Sequence, residues 1–429
     1  MASFATHFFL LTITLLFVSC LSLPIGDLKL RTVLPIRKDP ITSLFYTSVG
    51  VGTPRHNFDL VIDLGGPILW YDCNNHYNSS TYRPVSCDSK SCSNTGAGCT
   101  SCDGPLKPGC TNNTCGANIL NPLANVIFSG DTGEDVLFIS SSIVSVLSGC
   151  ASSDAFNDDP PLLKGLPQTS KGILGLARTQ LALPTQLSSS ELPHKFALCL
   201  PSSNKNGLGN LFLGGAPDSL PHQPALLTTP LIINPFSTAP IFSEGDASYE
   251  YFIVVKSIKI GGEVLDFKSS LLSIDSKGNG GTKIITMNPF TVLHSSIHKP
   301  LVRDFVKKAA DRKIKKVEAV APFGACFDLS TIGKTITGLD VPTIDLVLQG
   351  DVEWTIYGGN SMVLVNEKVA CLGFVDGGKT ARTAVVIGGH QLEDNLVEFD
   401  LGSSKLGFSS SLLLQNATCS PSKASSFPF

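Results

Sequence analysis

The chain has 429 residues, 42% hydrophobic and 16% charged, which suits a well-packed protein of two or three domains. A net charge of −3 and a pI near 6.2 leave no polybasic signature, so nucleic acid is excluded as an expected partner. No motif offers a seat to haem or flavin and no cofactor is expected, while 39 glycines and 27 prolines suit a loop-rich β protein.

The first element is an apolar run, Phe8-Phe9-Leu10-Leu11 to Leu16-Phe17-Val18, that ends in small residues around Cys20 and Ser22. It is too short and too N-terminal for a spanning helix and predicts a secretory signal peptide over residues 1–22. No later run of about 18 apolar residues follows. The mature protein is therefore expected to be soluble and secreted, with no membrane partner. Residues 23–40 form a short lead. Residues 43–51 then alternate as a half-buried strand does.

Val61-Ile62-Asp63-Leu64-Gly65-Gly66, followed by Ile68-Leu69-Trp70, places one carboxylate in a tight glycine-rich loop behind an apolar strand. Cysteines come next. Of the 13 in the chain, Cys20 leaves with the signal and twelve remain, seven of them between Cys73 and Cys115. An even number in a secreted chain predicts disulfides. Cys99-Thr100-Ser101-Cys102 is a C-x-x-C, but in an oxidising compartment, with no second such pair and no histidine spacing, no metal is expected. Three sequons, at Asn78, Asn112 and Asn416, mark loops open to glycosylation.

Many short apolar runs separated by Gly, Pro, Asn and Ser follow, including Leu211-Phe212-Leu213, Phe252-Ile253-Val254-Val255 and residues 344–348, an all-β pattern. One segment breaks it. Ile297, Leu301, Phe305 and Ala309 recur every four residues, with Lys and Arg on the other face, and predict an amphipathic surface helix over 296–311 capped by Ser295-Ser296. Its lysines make a basic patch, read here as a solvated face.

A weak internal duplication is also present. The Asp63 loop precedes Gly172-Ile173-Leu174-Gly175-Leu176, and a loop around Ile285 precedes Val385-Val386-Ile387-Gly388-Gly389. With Phe45 to Pro54, Glu398-Phe399-Asp400-Leu401 and Leu406-Gly407-Phe408, this pattern resembles the pepsin-type aspartic protease family over nearly all of the mature chain. The resemblance implies an all-β, bilobal fold with a few short surface helices: lobes over 41–220 and 221–420, then a tail over 421–429.

Within that family the chain resembles the plant branch without protease activity: xylanase inhibitors, xyloglucan-specific endoglucanase inhibitors (extracellular dermal glycoproteins) and basic 7S globulins. The resemblance implies Cys73–Cys150, Cys199–Cys419 and Cys326–Cys371 as pairs. Cys87, Cys92, Cys99, Cys102, Cys110 and Cys115 stay unpaired at this stage. Aspartic proteases need two carboxylates sharing a proton and holding a water. Counting back from Thr291-Val292-Leu293, the second position falls on Ile285, so Asp63 is expected to be a non-catalytic relic. Asp63-Leu64-Gly65-Gly66 also departs from the usual D-T-G-S, so the Thr and Ser hydroxyls of that motif, which would brace the two loops and orient Asp63, are gone. The segment 117–130, where a flap Tyr would stand, has only Ile119, Ile127 and Phe128.

The resemblance implies a monomer, secreted to the apoplast or cell wall, that inhibits a secreted glycoside hydrolase of microbial or plant origin through second-lobe loops. A xyloglucan-specific endoglucanase fits better than a xylanase. The candidate inhibitory residues are Lys334, Ile336, Leu413 and Asn416. They lack the His that xylanase inhibitors and the Arg that xyloglucanase inhibitors place there. The alternatives are a storage-like or ligand-binding globulin, a decoy that binds a hydrolase without inhibiting it, and residual proteolysis through Asp63 alone.

Overall fold

The structure is a computed structural model that describes residues 32–420 except 74–76, 94, 96, 103, 153–160, 190–191, 203–206, 217–224 and 240–244. The expected signal peptide, most of the lead, the lobe boundary and the tail lie outside the described residues.

One strand plan is used twice. In the first half, the strand His56–Asp63 begins at a polar edge and ends fully buried, with Val61 and Ile62 both inaccessible. It runs antiparallel to Phe45–Val51 and parallel to Ser170–Gly175, Gly175 facing Asp63. Ser170–Gly175 is antiparallel to Trp70–Asp72, itself parallel to Ser142–Ala151. In the second half, Thr282–Ile284 runs antiparallel to Tyr251–Ile253 and parallel to Val385–Ile387. Val385–Ile387 is antiparallel to Thr291–Leu293, which is parallel to Phe374–Asp376. Strands covered on both faces read as unbroken apolar runs, which is why these central segments stand out in the sequence.

A six-stranded antiparallel sheet joins the halves. Its order is Thr32–Lys38, Gly209–Leu213, Lys195–Cys199, Leu396–Asp400, Lys405–Phe408 and Leu227–Ile232. Phe196 stacks on Phe399 at 4.9 Å, Tyr251 lies 4.6 Å from the same ring, and Trp354 stacks on Phe408 at 4.8 Å. Each such ring withdraws on the order of 200 Å² from water. They fix the two halves to a common base, with the Asp63 and Ile285 loops at their junction.

The expected helix spans Ser295–Asp311 and buries Ile297, Leu301, Phe305 and Ala309. Its cap differs from expectation. His294 is the cap, its Nδ1 accepting the Ser296 N–H at 3.1 Å, while Ser295 lies inside the helix and donates to Asp376 Oδ1. Six disulfides are closed: Cys73–Cys150, Cys199–Cys419, Cys326–Cys371, Cys87–Cys99, Cys92–Cys115 and Cys102–Cys110. The last three order the cysteine-rich segment that spacing alone left open.

Candidate functional site

Asp63 ends its strand at 4% exposure. The Gly65 N–H donates to its Oδ1 at 2.7 Å, and the Gly66 and Leu176 N–H groups both reach its backbone carbonyl. Burial pushes the carboxyl up to about 7; the Gly65 bond opposes this, Glu250 adds to it and Lys283 opposes it. A Cβ added at Gly65 would lie 3.4 Å from Asp63 Oδ1 and 3.8 Å from Glu250 Oε1, so a second carboxylate stands near the first. It is engaged elsewhere. Glu250 is paired with Lys283 at 2.6 Å, and its Oε2 accepts from Ser248 and Thr238. Lys283 also donates to Thr238 Oγ1 at 3.2 Å.

The first loop has neither a Thr nor a Ser hydroxyl, but the loop across the junction supplies one of its own. Thr286, next to Ile285, accepts the Leu64 N–H at 3.2 Å and donates to the Ile62 carbonyl at 2.5 Å. The brace from the second loop to the first is intact; Leu64, with no hydroxyl, cannot return it. Ile285 is half-buried, and its N–H donates to the Ile387 carbonyl at 3.0 Å.

Over the junction folds the hairpin Thr114–Asn121/Val126–Ile139. Ile119 is fully buried and Phe128 nearly so, in one apolar cluster with Trp70, Ile68 and Met287. Ile127 stays partly exposed. The Trp70 Nε1 is buried with no hydrogen-bond partner among the described residues. An aliphatic Ile119 in this cluster has no acceptor to offer it.

The candidate inhibitory residues lie on two loops that rest on one turn. Lys334 is exposed on a short hairpin where Lys334–Thr335 pairs with Gly338–Leu339, and Ile336 at its turn is 61% exposed. Leu413 is half-buried in the single turn Leu412–Gln415, which Asn416 ends in a left-handed conformation, fully in the open. Both loops rest on the turn Gly358–Ser361: the Gly359 N–H donates to the Thr337 carbonyl at 2.7 Å, and a Cβ at Gly359 would lie 3.7 Å from Leu413 Cδ1. Asn360 locks that turn by donating to the His390 and Glu393 carbonyls.

Two family profiles match this architecture. Residues 45–215 match the profile described as Xylanase inhibitor N-terminal and residues 250–410 that described as Xylanase inhibitor C-terminal. The chain belongs to the xylanase-inhibitor family. Among similar proteins, one named Probable aspartic proteinase GIP2 from Nicotiana benthamiana is 46% identical over 90% of each chain. Gamma conglutin 1 from Prunus dulcis is 38% identical over 98% of this chain and 97% of its own. The crystal structure of edgp superposes with a TM-score of 0.86 at 45% identity, covering 91% of this chain and 97% of that one. Basic 7S globulin from soybean gives 0.75 at 33%, covering 89% and 96%.

Three features of this xylanase-inhibitor-family chain escaped the sequence: the Glu250–Lys283 pair, the Thr286 brace and the Gly358–Ser361 turn. Lys283 directly before the apolar Ile284-Ile285 was the available signal for the first, since a buried ammonium demands a partner. All three sequon asparagines, Asn78, Asn112 and Asn416, are exposed. Among the described residues no three His, Cys, Asp or Glu side chains gather to hold a metal ion, and no helix is long and apolar enough to cross a membrane.

Proposed function

We propose that this xylanase-inhibitor-family protein is a secreted, proteolytically inactive pepsin-like protein that binds and inhibits a cell-wall-degrading glycoside hydrolase in plant defence. Its target class is a xyloglucan-specific endoglucanase rather than a xylanase. Inactivity is supported by register. Ile62 pairs with Leu174 just before Asp63 and Gly175, as Ile284 pairs with Ile387 just before Ile285 and Gly388, which favours Ile285 as the counterpart of Asp63. An isoleucine neither holds the catalytic water nor shares a proton, and losing one member of a catalytic unit typically lowers the rate by several orders of magnitude.

The observation that carries the binding role is the meeting of the 334–339 and 412–416 loops on Gly358–Ser361. One loop presents exposed Ile336 next to Lys334 and the other exposed Leu414, apolar tips with a cation on one of them. A glycosidase cleft lined by two carboxylates is complementary to such a tip. The test is a xyloglucanase and xylanase assay with the purified protein. Loss of xyloglucanase rate at near-stoichiometric ratio, abolished by Ile336→Asp with Leu413→Asp, is expected. Capture of the hydrolase without loss of rate overturns inhibition and leaves a decoy. Casein cleavage that Asp63→Ala abolishes overturns inactivity. The gamma conglutin and basic 7S globulin likenesses favour a second, storage-type reading. Concentration-dependent oligomers with no hydrolase bound would select it.

A further inference from the structure

The most concentrated positive charge on the molecule has no role in either loop system. Residues 299–316 hold eight Lys or Arg against two Asp, a net of +6 in a chain whose total is −3. The apolar face of the helix Ser295–Asp311 fixes what points outward. Lys299, Arg303 and Lys307, four residues apart, are all exposed. At roughly 1.5 Å per residue they form a row of cations about 6 Å apart. Past the helix, Lys313 turns the chain in a left-handed conformation at φ 62°, and exposed Lys315 and Lys316 extend the row.

Structural uses account for only part of this charge. Lys308 pairs with Glu263 at 2.9 Å, Arg312 with Asp340 at 3.0 Å and Arg303 with Asp304 at 2.6 Å. Lys299, Lys307, Lys313, Lys315 and Lys316 form no ion pair among the described residues. Favourable interaction with the helix dipole explains cations in the last turn, not Lys299 in the second.

We propose that this stripe binds an acidic polysaccharide, a polymer of uronate residues, and holds the protein on it. A row along a convex helix suits an extended polyanion lying across it; a small anion needs a concave seat. Lysine dominates, and its flexible ammonium tolerates variable carboxylate spacing, where a fixed guanidinium fork would select one geometry. Six disulfides fit an oxidising compartment such as the extracellular space proposed above, where nucleic acid is not the polyanion met. The proposal rests on the extracellular part of the function proposed above, not on inhibition. The stripe lies next to the residues flanking the Lys334–Leu339 hairpin: the Lys315 N–H donates to Thr331 Oγ1 at 3.0 Å, and Arg312 reaches Asp340. A polymer on the stripe therefore holds that hairpin close to the wall that hydrolases attack.

The test is retention of the full-length secreted protein on immobilised polygalacturonate at low salt. The same polymer fully methyl-esterified, neutral xyloglucan and double-stranded DNA serve as the other matrices. Retention on polygalacturonate alone is expected, with release as salt approaches 1 M, where the screening length falls to about 3 Å. Lys299→Gln with Lys307→Gln and Lys313→Gln should weaken binding roughly fivefold per lysine, on the order of 100-fold together. A triple variant at exposed lysines outside the stripe, Lys171→Gln, Lys277→Gln and Lys405→Gln, has the same net charge and should bind as the parent does. Equal loss in both variants, equal retention on the esterified polymer, or tighter retention on DNA overturns the proposal. Inhibition of a hydrolase on soluble xyloglucan should be unchanged in the stripe variant, which separates failure here from failure of the inhibitory function.

Discussion

Lys283 stands in a strand whose neighbours are apolar, and its ammonium is tolerable there only because Glu250 lies 2.6 Å away. Removing one partner strands a buried charge. Lys283→Met should therefore cost about 3–5 kcal/mol in urea denaturation, while Lys283→Met with Glu250→Leu should recover most of the loss. A double variant no better than the single would refute the pairing as the source. Asp63 presents the opposite case, a carboxyl that burial holds at about 7 against 3.8 in its ordinary state. The folded protein binds the extra proton between those values, so this group's favourable contribution is complete below 3.8 and is lost as pH rises through about 7. Asp63→Asn keeps the acceptor for Gly65 and removes the titration. The variant should match the parent near pH 4 and exceed it at pH 8, by a few kcal/mol at most. Parallel stability curves for the two proteins across that range would show that Asp63 does not titrate there.

Between elements, the two loops at the junction are joined from one side only. Thr286 satisfies both the Leu64 N–H and the Ile62 carbonyl, groups that no water reaches in so apolar a setting. Thr286→Val should cost about 1–3 kcal/mol, from one buried donor left unsatisfied, with the fold preserved. Amide exchange at Leu64 is the direct check: protection there should fall more than at Ile62. The Thr286 brace was not legible because the departures at Leu64 and Gly66 say nothing of the loop across the junction. The central strands were legible, by contrast, because burial on both faces leaves a continuous apolar signature. The long helix was legible because Ile297, Leu301, Phe305 and Ala309 keep its period. Its cap was not, since two serines look better suited than His294, and only the fold commits Ser295 to Asp376. Six cysteines within residues 87–115 allow 15 pairings, so their connectivity had to come from the path of the chain.

On the molecule as a whole, the bilobal plan was readable from its internal duplication, while the convergence of the candidate loops on one turn was not. Residues 334–339, 358–361 and 412–416 are separated in sequence and converge where the Cys199–Cys419 bridge, 220 residues apart, and the joining sheet bring the C-terminal segment back. That convergence places the Asn416 sequon beside the proposed docking tip. Asn416 is exposed just after Leu413 and Leu414, on a turn whose backbone is held by Ser411 and Asp394. An N-glycan there would project from the rim of the surface proposed above to meet the hydrolase. It would be excluded from a closely packed interface or would hold the partner off. Thr418→Ala removes the acceptor motif without touching Asn416, Leu413 or the disulfide. Intact mass should fall by one glycan, and hydrolase inhibition should strengthen about tenfold, the equivalent of roughly 1.4 kcal/mol. Enzymatic deglycosylation of the parent should produce the same gain. Loss of the glycan with inhibition unchanged would place the contact surface away from residues 412–416 and shift the docking role to the Lys334–Leu339 hairpin.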